Sequence, residues 1–329
     1  MRIVRDFKEL IAPPPQAVVT IGNFDGVHLG HREIFRRVVA RARSLQGTAV
    51  VLTFVPHPLK FLAPERAPRL INTDAEKERL IAASCIDLLI CAPFTRELAA
   101  CSAEDFVCEY LVGRIGVRHL IVGYDYAFGR GREGDSAFLR RQGELYGFTV
   151  EVLDPITRQE GVFSSTRVRE LLLQGEMEAV VGLLGRHFTL EGQVVRGAGR
   201  GRSLGFPTAN LQTEKDILPR PGVYAVKVKR GETIYDGVLN IGSNPTFGGR
   251  GMSVEVHLLD FSGDLYDEQL RLYFVRRLRD EECFAAVEAL RAAITADVVA
   301  ARQLLATTRI IEYREYLDCG NAAVSGGCP

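Results

Sequence analysis

His28 and His31 flank Leu29 and Gly30 in the stretch VVTIGNFDGVHLGH, residues 18 to 31. An apolar run (Val18, Val19, Ile21) stops at Gly22, and a turn-like segment with Asp25 and Gly26 follows. An amphipathic stretch then begins at once, with Ile34, Phe35, Val38, Val39, Ala42 and Leu45 on one side and arginines on the other. The pattern predicts strand, loop, helix. A helix that begins near His28 sets both imidazoles, three positions apart, on one face of its first turn. That turn carries unpaired N–H groups and the positive end of the helix dipole, a setting that attracts phosphate. Two imidazoles there can donate hydrogen bonds to a phosphate whose charge grows as a bond to phosphorus breaks. Gly30 between them leaves room for close approach. Two plainer readings compete on these residues alone: a solvated or capping histidine, and a metal pair, which on a helix usually needs i, i+4 spacing or further ligands.

Other segments carry comparable chemistry. SSTRVRELL opens a helix at Ser164, Ser165 and Thr166, and its hydroxyls, free N–H groups and the guanidiniums of Arg167 and Arg169 make a phosphate clamp. VVRGAGRGRSLGFPTANL, residues 194 to 211, sets Gly197, Gly199, Gly201 and Gly205 among Arg196, Arg200 and Arg202. Such a backbone wraps closely around an anionic ligand. It is no Walker A loop, because no G-K-[ST] follows. In VEVHLL, alternation turns Val254, Val256 and Leu258 to a core and Glu255 and His257 the other way. Gly129, Gly131 and Gly134 spell G-x-G-x-x-G with Glu151 and Asp154 downstream, yet YDYAF separates them from Gly123 at the strand end. That register argues against a dinucleotide fingerprint.

The elements that must position these residues fall into two patterns. After the lead-in Pro13 to Pro15, five apolar runs alternate with helical stretches: residues 18–21, TAVVLTF, IDLLIC, RHLIVG and FTVEVL. Thr73 to Glu76 reads as a capping box, and Ser102 with Glu104 and Asp105 as another helix start. The implied architecture is a doubly wound parallel sheet. Phe54, Pro56, His57 and Pro58 then lie outside the carboxyl end of a strand, where ligands collect. Beyond a last helix ending at Gly185, glycine- and proline-punctuated strands predict a small antiparallel barrel, with a C-terminal helix from about Glu282 to Ala306. The expected domains are 1–185 and 186–308, followed by a tail, 309–329.

At 329 residues both domains are large enough for a proper core. Lysine plus arginine equals aspartate plus glutamate at 41 each, so no global field points to nucleic acid or an anionic membrane. The charged start MRIVRDFKEL does not read as a secretory signal, and no apolar run approaches membrane-spanning length. Seven cysteines without a C-x-x-C pair predict reduced thiols and a cytoplasmic protein.

GNFDGVHLGH resembles the HxGH signature of nucleotidyltransferases, in the form seen in bacterial bifunctional riboflavin kinase/FMN adenylyltransferases. GRSLGFPTAN resembles the riboflavin kinase signature G-R-x-L-G-x-P-T-A-N, and RPGVYAVKV, GVLNIGSNPTFGG and VEVHLLDF match further family segments in order. The resemblance spans about residues 15 to 306. It implies an N-terminal domain that transfers AMP from ATP to FMN, giving FAD and pyrophosphate, and a C-terminal domain that phosphorylates riboflavin with ATP. It implies ATP contacts at Gly22, Asn23, Phe24, His28, Gly30, His31 and Ser164 to Arg167. Flavin contacts would fall on Phe54, Pro56, Pro58, Asp125, Tyr126 and Phe128, with Tyr124 a further aromatic in that loop. In the kinase half it implies Glu255 as general base, Thr208 and Asn210 as Mg²⁺ ligands, and Gly197, Gly199, Arg202, Gly205, Pro207, Asn240 and Arg279 around ATP and flavin, with Glu281 and Asp297 bordering the pocket. The implied ligands are ATP, riboflavin, FMN and FAD, with no nucleic acid or membrane and a homo-oligomer left open. Asp267 departs from the glycine common in this family, Cys283 from lysine, and Leu98 and Cys101 from phenylalanine and leucine. A single-activity enzyme with one degenerate half, and a nucleotide-binding module without turnover, are the competing classes.

Overall fold

The computed structural model describes residues 1–155, 157–158, 161–197, 199, 201, 204–242 and 252–312. Arg200, Arg202, the NPTF stretch and the tail from 313 onward lie outside the described residues. Two compact units emerge, Met1–Ser164 and Ser165–Glu312.

In the first unit β1 (Arg2–Val4), β2 (Ala17–Ile21), β3 (Ala49–Val55), β4 (Leu88–Pro93), β5 (Val117–Gly123) and β6 (Thr149–Leu153) form one sheet, ordered β1-β4-β3-β2-β5-β6. All its neighbouring strands run parallel. The five expected strands are present, and β1 is an addition. It is a short edge strand whose flanking charges disguise the apolar pair Ile3 and Val4. β2 is buried throughout, as a continuous apolar run must be when helices cover both faces. Those helices are α1 (Leu29–Ser44), α2 (Pro58–Leu62), α3 (Asp74–Ala82), α4 (Arg96–Ala100), α5 (Ala103–Asp105, continuing as a π-helical segment through Arg114) and α6 (Ser136–Tyr146). α1 lays Phe35, Val38 and Ala42 against Val18, Val51 and Ile121. Phe106 and Leu111 cover Val19, Leu52 and Leu120 on the other face. Thr73 and Glu76 form the expected capping box, and Ser102 caps α5.

The strand order reverses at β2. The chain steps outward through β3 to β4 and then returns to β5 on the opposite side of β2. The loop after β2 therefore opens over the crevice in which ligands bind on such sheets. A two-stranded hairpin, β7 (Thr157–Arg158) and β8 (Gly161–Val162), precedes the end of this unit.

The second unit starts with α7 (Ser165–Gln174) and α8 (Met177–Leu184). It continues as β9 (Thr189–Val195), β10 (Ala209–Gln212), β11 (Gly222–Arg230), β12 (Thr233–Gly242), β13 (Ser253–Leu258) and β14 (Gln269–Arg279). These six strands close into an antiparallel barrel, ordered β10-β13-β12-β11-β14-β9. The geometric division at Ser164/Ser165 falls ahead of the expected boundary at 185/186 because α7 and α8 group with the barrel. Glu178 of α8 pairs with Arg276, and Gly175 abuts Arg277. α9 (Val287–Leu305) buries Ala301 and Leu305 against Val223, Ala225 and Val238. It starts later than the expected Glu282, and the segment before it bends instead along a cavity wall.

Cys91, Cys101, Cys108 and Cys283 are free thiols. Among the described residues no helix is long and apolar enough to cross a membrane.

Candidate functional site

In the first unit, His28 is the N-cap of α1, and its Nδ1 accepts the backbone N–H of His31 at 3.3 Å. The structure thus shows the capping arrangement of this histidine. With Nδ1 occupied as an acceptor, a neutral His28 ring carries its proton on Nε2 and keeps a donor there. The two imidazoles stack, with ring centroids 3.7 Å apart and planes 22° from parallel. Phe24 meets His31 edge-on at 5.2 Å and packs on Phe35 at 4.9 Å. Phe24 is only 3% exposed, its ring packed between His31 and Phe35.

Gly30 lies against His28. A Cβ there would sit 3.0 Å from Cε1 and Nδ1 of that ring and 3.3 Å from Phe163 Cβ. Phe163 directly precedes Ser164, so the chain reaches the expected serine segment past the HxGH turn. Ser164 closes the first unit, whereas Ser165, Thr166 and Arg167 open α7 in the second, where Arg167 pairs with Glu170 at 3.0 Å. Asp25 is buried and accepts the N–H groups of Ile71 and Asn72 at 3.0 to 3.2 Å, a tie the sequence reading did not foresee. It ties the loop after β2 to the chain entering α3.

Beside that loop is a cavity of about 110 Å³ lined by Asn23, Phe54 and Pro56, with His57, Lys60, Asn72 and Lys77 adding polar groups. It brings together the expected Asn23, Phe54 and Pro56. Pro58 is the first residue of α2, capped by His57 through Nδ1, and Gly22 sits under the Phe24 ring. Lys60, Asn72 and Lys77 escaped the sequence reading because only the fold brings α2 and α3 to the ends of β2 and β3.

The loop after β5 behaves otherwise. Asp125 and Tyr124 are exposed, but Phe128 is 9% exposed and enclosed by Tyr126, Phe106 and Phe138. The Tyr126 hydroxyl is buried without a hydrogen-bond partner among the described residues, and burial pushes its ionisation well above the phenol range. Gly129 to Gly134 fold back through a Phe128–Gly134 bridge, so this G-x-G-x-x-G makes no strand-to-helix phosphate turn.

In the second unit a cavity of about 240 Å³ gathers Thr208, Asn240, Glu255, His257, Arg279 and Asp297. Alternation along β13 works as expected: Val254, Val256 and Leu258 are buried, while Glu255 and His257 face the cavity. Thr208 Oγ1 donates to Glu255 Oε2 at 3.2 Å. Asn210 pairs with Glu255 in the ladder, and its amide occupies the place a Cβ on Gly197 would need, 2.1 Å from Nδ2. Gly199 and Gly205 take positive φ, +69° and +89°, and Pro207 offers its carbonyl to His257. Arg279 reaches Asp297 through two nitrogens at 2.8 to 3.2 Å, and this carboxylate holds the guanidinium firmly charged. Glu281, Phe284, Leu290 and Ile294 complete the far wall. The last three and His257 were given no role by sequence, although the i, i+2 spacing of His257 with Glu255 was a usable signal.

Residues 11–167 match the FAD synthetase family model, and residues 184–305 match the riboflavin kinase model. The bifunctional riboflavin kinase/FMN adenylyltransferase of Pseudomonas fluorescens is 42% identical over 307 residues, 93% of this chain and 98% of its own length. The Escherichia coli K12 enzyme of the same name is 38% identical over 311 residues, covering 94% and 99%. A Streptococcus pneumoniae structure described as a macrolide-efflux protein superposes with a TM-score of 0.82 at 31% identity, covering 92% of this chain and 98% of its own. With one unit built around paired imidazoles on a parallel sheet and the other around a Thr–Glu pair on a closed barrel, the chain belongs to the bifunctional riboflavin kinase/FMN adenylyltransferase family.

Proposed function

We propose that the barrel makes FMN and the parallel-sheet unit converts it to FAD, each through the residues gathered in its own cavity or turn. The functional domains are then 1–185 and 186–308. In the kinase step the ribityl 5′-oxygen of riboflavin attacks the γ-phosphorus of ATP. The new O–P bond forms as the bridging β,γ O–P bond breaks, and the alcohol proton passes to Glu255. A positioned carboxylate of this kind typically contributes about 10² to 10⁴ in rate. Because Thr208 holds Glu255 Oε2, Oε1 stays available for the alcohol. The hydroxyl of Thr208 and the amide oxygen of Asn210, beside a carboxylate, form a donor set that suits a hard cation. They would hold Mg²⁺, which when bound neutralises phosphate charge. Asp297 orients Arg279 along the cavity wall.

In the adenylyl step a phosphate oxygen of FMN attacks the α-phosphorus of ATP and pyrophosphate leaves. The nucleophile is already an anion, so no protein base is required. His28 through Nε2–H, the stacked His31 and the N–H groups of the α1 first turn stabilise the growing charge. Equal numbers of acidic and basic residues favour such small ligands over nucleic acid.

The observation that carries this reading is that the His28–His31 stack and the Thr208–Glu255 pair lie in separate units. The test supplies riboflavin, ATP and Mg²⁺ to wild type, His28→Ala and Glu255→Ala and separates flavins by chromatography. Wild type forms FMN and FAD, His28→Ala stops at FMN, and Glu255→Ala makes FAD only when FMN is added. Loss of the same activity in both variants refutes the division of labour.

A further inference from the structure

The ladder between β10 and β13 stops where the cavity begins. Ala209 pairs with Val256 and Asn210 with Glu255, so the next step of the register would set Thr208 opposite His257. Pro207, just ahead, has no N–H to extend the pairing. At this point a side chain takes over: Nδ1 of His257 lies 2.7 Å from the carbonyl oxygen of Pro207. A carbonyl only accepts, so Nδ1 carries a proton and donates, in the neutral ring as in the cation. Two residues back on the same face of β13, Glu255 receives the hydroxyl of Thr208. Neighbouring side chains of one strand thus grip neighbouring residues of the opposing segment. Phe206 closes edge-on against the imidazole, with centroids 5.7 Å apart, and Phe206, Thr208, Glu255 and His257 all line one cavity.

We propose that His257 is a positioning residue of the phosphoryl-transfer step: it holds Pro207 so that the Thr208 hydroxyl stays on Glu255. This role rests on the kinase reading of the cavity. It belongs to Nδ1 alone, and that gives it a geometric signature. The amide nitrogen of asparagine falls near the place of Nδ1, whereas that of glutamine reaches toward Nε2.

The experiment uses the full chain with His257→Asn, His257→Gln and His257→Ala. Riboflavin phosphorylation is followed at saturating ATP and Mg²⁺, alongside FAD formation from added FMN and a thermal melt. Glutamine and alanine should lower the kinase kcat by roughly 10- to 100-fold, the usual effect of removing a group that orients a reactive one. The riboflavin KM, the melt and FAD formation from FMN should stay at wild-type values, and asparagine should retain most of the kcat. Alanine with wild-type kcat, asparagine as poor as alanine, or a parallel loss of both activities would each overturn the role. Wild type that turns FMN into FAD but leaves riboflavin unphosphorylated overturns the kinase reading itself, a result distinct from all of these.

Discussion

Gly30→Ala separates catalysis from stability in the adenylyl half. Gly30 is the second residue of α1, and its φ lies outside the left-handed region, so alanine fits the backbone. In a helix interior the change would favour folding by about 1 kcal/mol. Here the added methyl would sit 3.0 Å from two atoms of the His28 ring, well inside the roughly 3.5 to 4.0 Å at which carbon atoms pack best. Phe163 at 3.3 Å blocks the other side, so the imidazole must give by a few tenths of an ångström. Overpacking of this kind costs about 1 to 3 kcal/mol, which offsets the propensity gain and leaves the melt nearly where it was. Misplacing a catalytic group by about 1 Å costs on the order of 100-fold in rate. A shift of a few tenths of an ångström scales to roughly fivefold, about 1 kcal/mol of transition-state stabilisation at about 1.36 kcal/mol per tenfold. The assay measures FAD from supplied FMN and ATP, with riboflavin phosphorylation in the same sample as an internal control. The expected result is a roughly fivefold loss of FAD formation with an unchanged kinase rate. Wild-type FAD formation would refute the reasoning, since His28 would then not need the position it holds.

Two further outcomes follow from the backbone and from burial. Asp267 holds φ at +66°, where a residue with a Cβ pays about 1 to 2 kcal/mol, so Asp267→Gly should raise the unfolding free energy by up to about 1 kcal/mol after glycine's entropy is subtracted, and with it the denaturation midpoint. A lower midpoint in chemical denaturation sinks that argument. Burial pushes the His119 pKa below its ordinary 6.5, outweighing the long 3.5 Å contact to Glu151 that would raise it. The unfolded chain therefore takes up a proton at His119 near pH 6.5 and the folded chain only at lower pH, so stability falls as pH drops below about 6.5. His119→Gln should flatten the melting temperature over that range, and an unchanged slope would rule His119 out as its source.

How much of this was legible in the sequence depended on how far apart the cooperating residues lie along the chain. Local patterns carried through: the apolar runs became strands, Thr73 with Glu76 became a capping box, and the β13 alternation put Glu255 into the cavity. The resemblance also flagged Asp267 as a place for glycine, and its positive φ supplies the reason. What the sequence did not show is which other elements enclose a given ring. Phe24 and Phe128 sit in the right loops, yet their environments are set by His31, Phe35, Phe106 and Phe138, which the fold brings in from other elements. Asp25 was unreadable for the same reason, since its partners Ile71 and Asn72 enter by way of the α3 approach. His257 lies between these cases. Strand period showed which way it faces, but its acceptor is a carbonyl 50 residues earlier, exposed to a side chain only because a proline ends the ladder there. A residue's face is thus a local property and its partner a topological one, and residues whose work lies wholly in the partner are those a motif passes over.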